Sequence, residues 1–227
     1  MFSSVSIESL LITVISVVLV MVSASIHEFG HAMAAHLLGD DTAKQQGRLT
    51  LNPLAHLDRF GSIILPLIMG IMGGPIFAFA KPVPYNPNNL RNKRRDEVLV
   101  ALAGPATNLL QALIGALIFR ILWSLSPETA IGIDAAWWLY RIAAIYTYVN
   151  LTLCFFNLIP LPPLDGSSII TPLLSDKALE KYYVVQRYSL PILITVLYLV
   201  PMVFRIDPLG AYLDFTAGRL SNFLLGW

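Results

Sequence analysis

Between Ser9 and Ile26 the chain carries no charged residue, and this run ends directly on His27-Glu28-Phe29-Gly30-His31. Crossing the hydrocarbon core of a bilayer takes about 20 apolar residues of helix, so the run is long enough to cross most of it. A helix from about Ser9 to Leu38 would be roughly 45 Å long, so it can span and still hold the pentapeptide before its exit. Residues four apart share one face of a helix, which lets His27 and His31 offer two imidazoles to one metal ion with Glu28 beside them. The first expectation is a metal-activated water inside a membrane.

The rest of the chain agrees with that address. Of 227 residues, 56% are hydrophobic and 13% charged, against about 25% charged in a soluble domain. A polytopic membrane protein is expected. The net charge of +1 as a total argues neither for nor against a nucleic-acid partner, and none is expected. Cys154 is the only cysteine and sits in an apolar run, so neither a disulfide framework nor a Cys-rich metal site is expected. The N-terminus lacks a basic region of the secretory type, so the first helix is expected to stay rather than be cleaved.

Small residues at Ser23, Ser25 and Gly30 with Ala24, Ala32, Ala34 and Ala35 mark a surface on which other helices can approach closely, and Gly39 suits a left-handed cap ending the helix. Residues 62–80 are apolar but broken by Pro66, Gly70, Gly73, Gly74 and Pro75. This pattern predicts a re-entrant hairpin or a short helix followed by a strand over 76–80, which is tolerable at membrane depth only if buried in protein or lining a wet cavity. The loop carrying Lys81, Arg91, Lys93, Arg94 and Arg95 is expected on the cytoplasmic side. Val98 to Phe119 and Ile142 to Leu161 read as spans, the second ending in the proline cluster Pro160, Pro162, Pro163. Tyr188 to Phe204 reads as a final span, with 208–227 interfacial or dipping into the bilayer. The expected fold is an all-α polytopic membrane protein with about 4–6 transmembrane segments and a re-entrant or β hairpin near 62–85. It forms one domain over 1–227, with its core at about 9–170 and C-terminal membrane segments at 188–227.

Topology decides which groups can meet. If 62–80 does not cross, the first helix exits into the cytoplasm and two later crossings bring Asp165 back to that side. A hydrolytic metal site needs three protein ligands and an open position. His36 faces away from His31, and His56 pairs more naturally with a nearby Asp in its own loop. Asp165 is the better third ligand, because an acid flanked by apolar segments is costly without a partner, although an Asp-Gly pair also suits a plain surface turn.

HEFGH on an early membrane helix, Gly104-Pro105-Ala106-Thr107-Asn108 on a middle one, and Asn157-x-x-Pro160 followed by Leu164-Asp165-Gly166 together resemble the site-2 protease family, the intramembrane zinc metalloproteases of peptidase family M50. The resemblance runs from about residue 20 to 170. It implies one Zn²⁺ per chain held by His27, His31 and Asp165, Glu28 as catalytic base, and a broken, β-containing hairpin after the first helix. It also implies transmembrane protein substrates cleaved within or near the cytoplasmic side of the membrane. The expected setting is a prokaryotic cell (inner) membrane, crossed several times, with the active site opening toward the cytoplasm. Ser167-Ser168 stand where many members have a second glycine, and no PDZ-like or CBS-like domain is expected.

On this reading Glu28 moves the proton from water to the leaving amine, and Asn108 is a catalytic candidate as an amide donor to the oxyanion or the substrate backbone. The alternative is a non-proteolytic metal-binding membrane protein, either a transporter or a pseudoprotease. A transporter would need polar groups through the membrane on several helices, whereas here they gather at one depth, and the intact Glu28 disfavours a pseudoenzyme. The Arg91 to Arg95 cluster reads as an orientation signal and lipid contact, and the tryptophans as interfacial residues.

Overall fold

The computed structural model describes residues 6–58, 64 and 81–226. The expected hairpin and strand within 62–80 lie outside the described residues, as does Trp227. Three long helices form the body: α1 (Ile7–Leu37), α2 (Lys93–Leu125) and α3 (Ile133–Asn157), each long and apolar enough to cross a membrane. α1 is rich in Val and Ile, which are indifferent helix formers in water. In hydrocarbon the backbone must satisfy its own N–H and C=O groups, and that requirement selects the helix. Ser6 caps α1 by accepting from the Ser9 amide at 3.1 Å. Asn92 caps α2, and Asp96 reaches back to the Asn92 amide at 2.8 Å, so two orphan donors are satisfied reciprocally.

Burial is inverted relative to a soluble bundle. Ser23, Asn108, Thr147 and Asn150 are fully buried, while Val14, Val18, Leu110 and Leu117 are more than half exposed on the outside. That is the pattern of a bundle whose solvent is lipid, where close contact of small residues and interhelical hydrogen bonds replace the hydrophobic drive. Gly30 shows how close the contact is: a methyl there would lie 2.7 Å from Thr107 Cγ2 and 3.0 Å from the Ala103 carbonyl oxygen. The protein is an all-α polytopic membrane protein, and the described residues contain no strand.

The pairings fix helix directions. α1 and α2 are antiparallel, since Ser23 meets Gln111 while His31 meets Val100. α2 and α3 are antiparallel, with Gln111 on Tyr146 and Asn108 on Asn150. The end of α1, the start of α2 and the end of α3 therefore share one end of the bundle. α3 begins nine residues earlier than the expected Ile142, taking in Trp137, Trp138 and Arg141, and ends at Asn157 before the prolines. The short helix α4 (Asp165–Ile170) follows at that same end.

The C-terminal region departs from expectation. Pro191–Phe204 meets α5 (Pro208–Leu225) at a bend of 110°, so among the described residues the helices able to cross are three, or four if this pair counts as one span. Arg205 at φ 54° ends the first piece and Pro208 starts the second. α5 runs along the bundle: Tyr212 donates to the Phe155 carbonyl at 3.1 Å, Ala217 packs on Ala112 and Leu151, and Leu225 packs on Phe119 and Ala143. Arg120 donates to the Leu224 and Phe223 carbonyls at 2.9 and 3.3 Å, satisfying the C-terminal end of α5.

The turn after α1 is held by a buried carboxylate. Gly39 takes φ 112°, and Asp40, fully buried, accepts from Thr42 Oγ1 at 2.5 Å, Asn89 Nδ2 at 2.8 Å and the Asn86 amide at 2.8 Å. Burial opposes ionisation, but these donors outweigh it and hold the Asp40 carboxyl below its usual range. A carboxyl depressed on folding stabilises above its unfolded pKa, near 3.9, and loses that contribution as pH falls through the folded value. Asp40→Ala strands several buried donors and is expected to cost about 3 kcal/mol. That cost lowers the melting temperature in detergent by roughly 5–10 °C near pH 7. The deficit should shrink below about pH 4. An equal deficit at pH 3 and pH 7 would contradict this account.

Candidate metal centre

One turn of α1 separates His27 from His31, and their Nε2 atoms lie 3.0 Å apart. Asp165, at the first position of α4, brings Oδ2 to 3.0 Å from His27 Nε2 and Oδ1 to 3.2 Å from His31 Nε2. Among the described residues these three form the one group of His, Cys, Asp or Glu side chains that could hold a metal ion.

The loop delivering Asp165 follows from its sequence. Pro160, Pro162 and Pro163 have no N–H, so the turn is held by Leu161 and Leu164, whose amides donate to Ile159 and Leu161 carbonyls at 2.8 and 2.9 Å. Gly166 is required for contact reasons: a Cβ there would overlap the Leu158 carbonyl and lie 2.5 Å from that of Ile159. Ser167 and Ser168 lie inside α4.

The outer nitrogens of both imidazoles are engaged. His31 Nδ1 lies 2.7 Å from the Val100 carbonyl oxygen, and His27 Nδ1 is hydrogen-bonded to Asn108 Oδ1. A carbonyl oxygen only accepts, so each Nδ1 carries the proton and each Nε2 turns its lone pair inward. Two lone pairs and a carboxylate then face one another without a proton between the nitrogens, and buried Asp165 Oδ2 has no aligned hydrogen-bond donor. This donor set calls for a cation. α2 leaves room for it at Gly104, where a methyl would overlap His31 Nε2 and stand 2.6 Å from His27 Nε2.

Glu28 lies beside this group rather than in it. Its Oε2 accepts from the Val83 amide at 2.8 Å, and Val83 sits between Pro82 and Pro84. Tyr85 follows, packed on Ala35 and Val100; burial, together with Glu97 and Asp165, raises its phenol above the usual range. Asn108 is fully buried, and its Nδ2 donates to Asn150 Oδ1 at 2.9 Å, so this arrangement does not present its amide to a substrate. His36 pairs with Asp41 at 2.5 Å on the surface, and His56 faces the Thr50 carbonyl at 2.8 Å; neither joins the group. Val83 escapes sequence reading because a backbone amide has no residue-type signal. Asn150 had one, being an uncharged amide within an apolar run.

Residues 15–137 match the family model described as Peptidase family M50, a range holding both histidines, Glu28 and Asn108. The chain is 38% identical over 196 residues to YwhC of Bacillus subtilis (strain 168), covering 86% of this chain and 82% of that protein, which is assigned by name as a zinc metalloprotease. Rip2 of Mycolicibacterium smegmatis, assigned likewise, is 28% identical over 217 residues, covering 91% of this chain and 79% of that protein. No solved structure matches. A family match over more than half of the chain, with a relative this similar aligned over most of both lengths, places the chain in peptidase family M50.

Proposed function

We propose that the chain hydrolyses peptide bonds of transmembrane proteins, using zinc held by His27 Nε2, His31 Nε2 and an Asp165 carboxylate oxygen. The observation that carries the reading is the meeting of these three groups at one end of a membrane bundle, with Glu28 alongside. When bound, zinc supplies a Lewis acid that acidifies water and polarises a carbonyl. Glu28 is the base. Val83 N–H holds its Oε2, which leaves Oε1 to take a proton from the attacking water and return it to the leaving amine. Asn108 acts as a positioning residue on His27 rather than as an oxyanion donor, since its amide nitrogen is committed to Asn150. The substrate presents an unwound segment, because an intact helix hides its carbonyls in its own hydrogen bonds.

The membrane orientation belongs to the same reading. Arg91, Lys93, Arg94 and Arg95 stand at the end of the bundle that carries the metal group, which supports a site opening toward the cytoplasm of a prokaryotic cell membrane. A cysteine placed at position 93 should resist an impermeant thiol reagent in intact cells; ready labelling from outside reverses the orientation.

The experiment for the activity is reconstitution. Purified protein in lipid vesicles should carry one zinc per chain, cleave a model transmembrane substrate, stop after chelation and resume when zinc is returned. Cleavage that persists in demetallated protein refutes the proposal.

A further inference from the structure

Beyond the metal group, the bundle buries polar side chains that no step above uses, and Asn150 in the middle of α3 is the most fully bonded of them. Its Nδ2 donates to the Tyr146 carbonyl oxygen and to Ser23 Oγ, both at 2.9 Å, and its Oδ1 accepts from Asn108 Nδ2. The order of these bonds has a direction. The Tyr146 carbonyl can only accept, so Asn150 must turn its nitrogen toward it. The Asn150 oxygen is then left facing Asn108, which must answer with its own nitrogen and turn its oxygen to His27. An oxygen there requires the His27 proton on Nδ1 and frees Nε2 as a ligand. His31 reaches the same tautomer by a direct bond to the Val100 carbonyl.

We infer that Asn150 is a positioning residue of the metal centre: it sets the tautomer of His27 through the amide of Asn108. The inference rests on the reading of His27, His31 and Asp165 as metal ligands. Without Asn150, the Asn108 amide can rotate to offer its nitrogen to His27, which places the histidine proton on Nε2 where the metal must bind. Plain interhelical bonding would give Asn150 no such effect.

The test begins with the wild-type protein, metal-free in detergent, with its histidines ¹⁵N-labelled. Ring nitrogen shifts should place the His27 proton on Nδ1; a proton on Nε2 overturns the inference whatever the variants do. Asn150→Leu keeps the volume and removes the amide. It should populate the Nε2-protonated form of His27 and weaken zinc binding, measured against a competing chelator, by about 10- to 100-fold. Adding Asn108→Asp restores an acceptor-only group beside His27 without any help from position 150, and zinc affinity should return to within about threefold of wild type. An Asn150→Leu protein with unchanged tautomer and affinity sinks the inference, as does failure of Asn108→Asp to restore binding. Wild-type protein that binds no zinc removes the metal reading and the inference together, whereas wild-type zinc binding with unresponsive variants removes the inference alone.

Discussion

Glu28→Gln protein is expected to keep one zinc per chain and to lose cleavage by about 10²- to 10⁴-fold, the usual contribution of a positioned acid–base group. Gln matches Glu in size and keeps an acceptor for the Val83 amide, which lies 2.8 Å from the present carboxylate. The local geometry should therefore survive, and the proposed ligand set does not include residue 28. What the substitution removes is a group that can hold a proton between attack and departure of the amine. Zinc content and the rate of cleavage of a transmembrane substrate, measured on one preparation, separate the possibilities. Wild-type-like cleavage sinks the assignment of the base, and loss of zinc would make residue 28 part of the metal's support instead.

Gly104→Ala should be nearly as damaging by a different route. In the middle of a helix, alanine is favoured over glycine by about 1 kcal/mol, so propensity alone predicts a stabilised α2. The added methyl, however, stands 2.6 Å from His27 Nε2 and overlaps His31 Nε2. It fills the space in front of both lone pairs and forces the rings apart. Folded protein with no bound zinc and no cleavage is the expected outcome, the propensity gain in α2 being offset by strain on two rings that Asn108 and Val100 hold from outside. Stoichiometric zinc in Gly104→Ala protein would show that the ligands do not converge beside this glycine. Cooperative unfolding retained without metal binding distinguishes this result from ordinary loss of fold.

Legibility from sequence varied with the kind of signal. His27 and His31 stood out by their spacing of four on one helix face and Asp165 as an acid flanked by apolar segments, and the proline cluster marked the end of α3. Asn108 was legible as a position, but the direction of its amide depends on Asn150, 42 residues later, and through it on one backbone carbonyl. Gly39 read as the cap that ends α1, while the burial of Asp40 beside it depends on Asn86 and Asn89 returning from the far side of the 62–80 segment. The early start of α3 was hidden by Trp137, Trp138 and Arg141, whose polar tips lower the apolar signal, although Arg141 lies over the Trp137 ring within the helix. α5 was read as interfacial or dipping into the bilayer, and nothing in its own composition shows that Ala217 and Leu225 fit the groove between α2 and α3.

The tripeptide Pro82-Val83-Pro84 also sets the register in which its segment can lie on Glu28. Moving it by one residue in either direction brings up a proline nitrogen, which has no hydrogen to give, and leaves the carboxylate unanswered. A slip of two would regain a donor from Lys81 or Tyr85, but Lys81 N–H is already spent on the His56 carbonyl and Tyr85 is packed against Ala35 and Val100. The segment thus works as a key with one notch, and the chain leaving the 62–80 region reaches Glu28 at a single indexed setting.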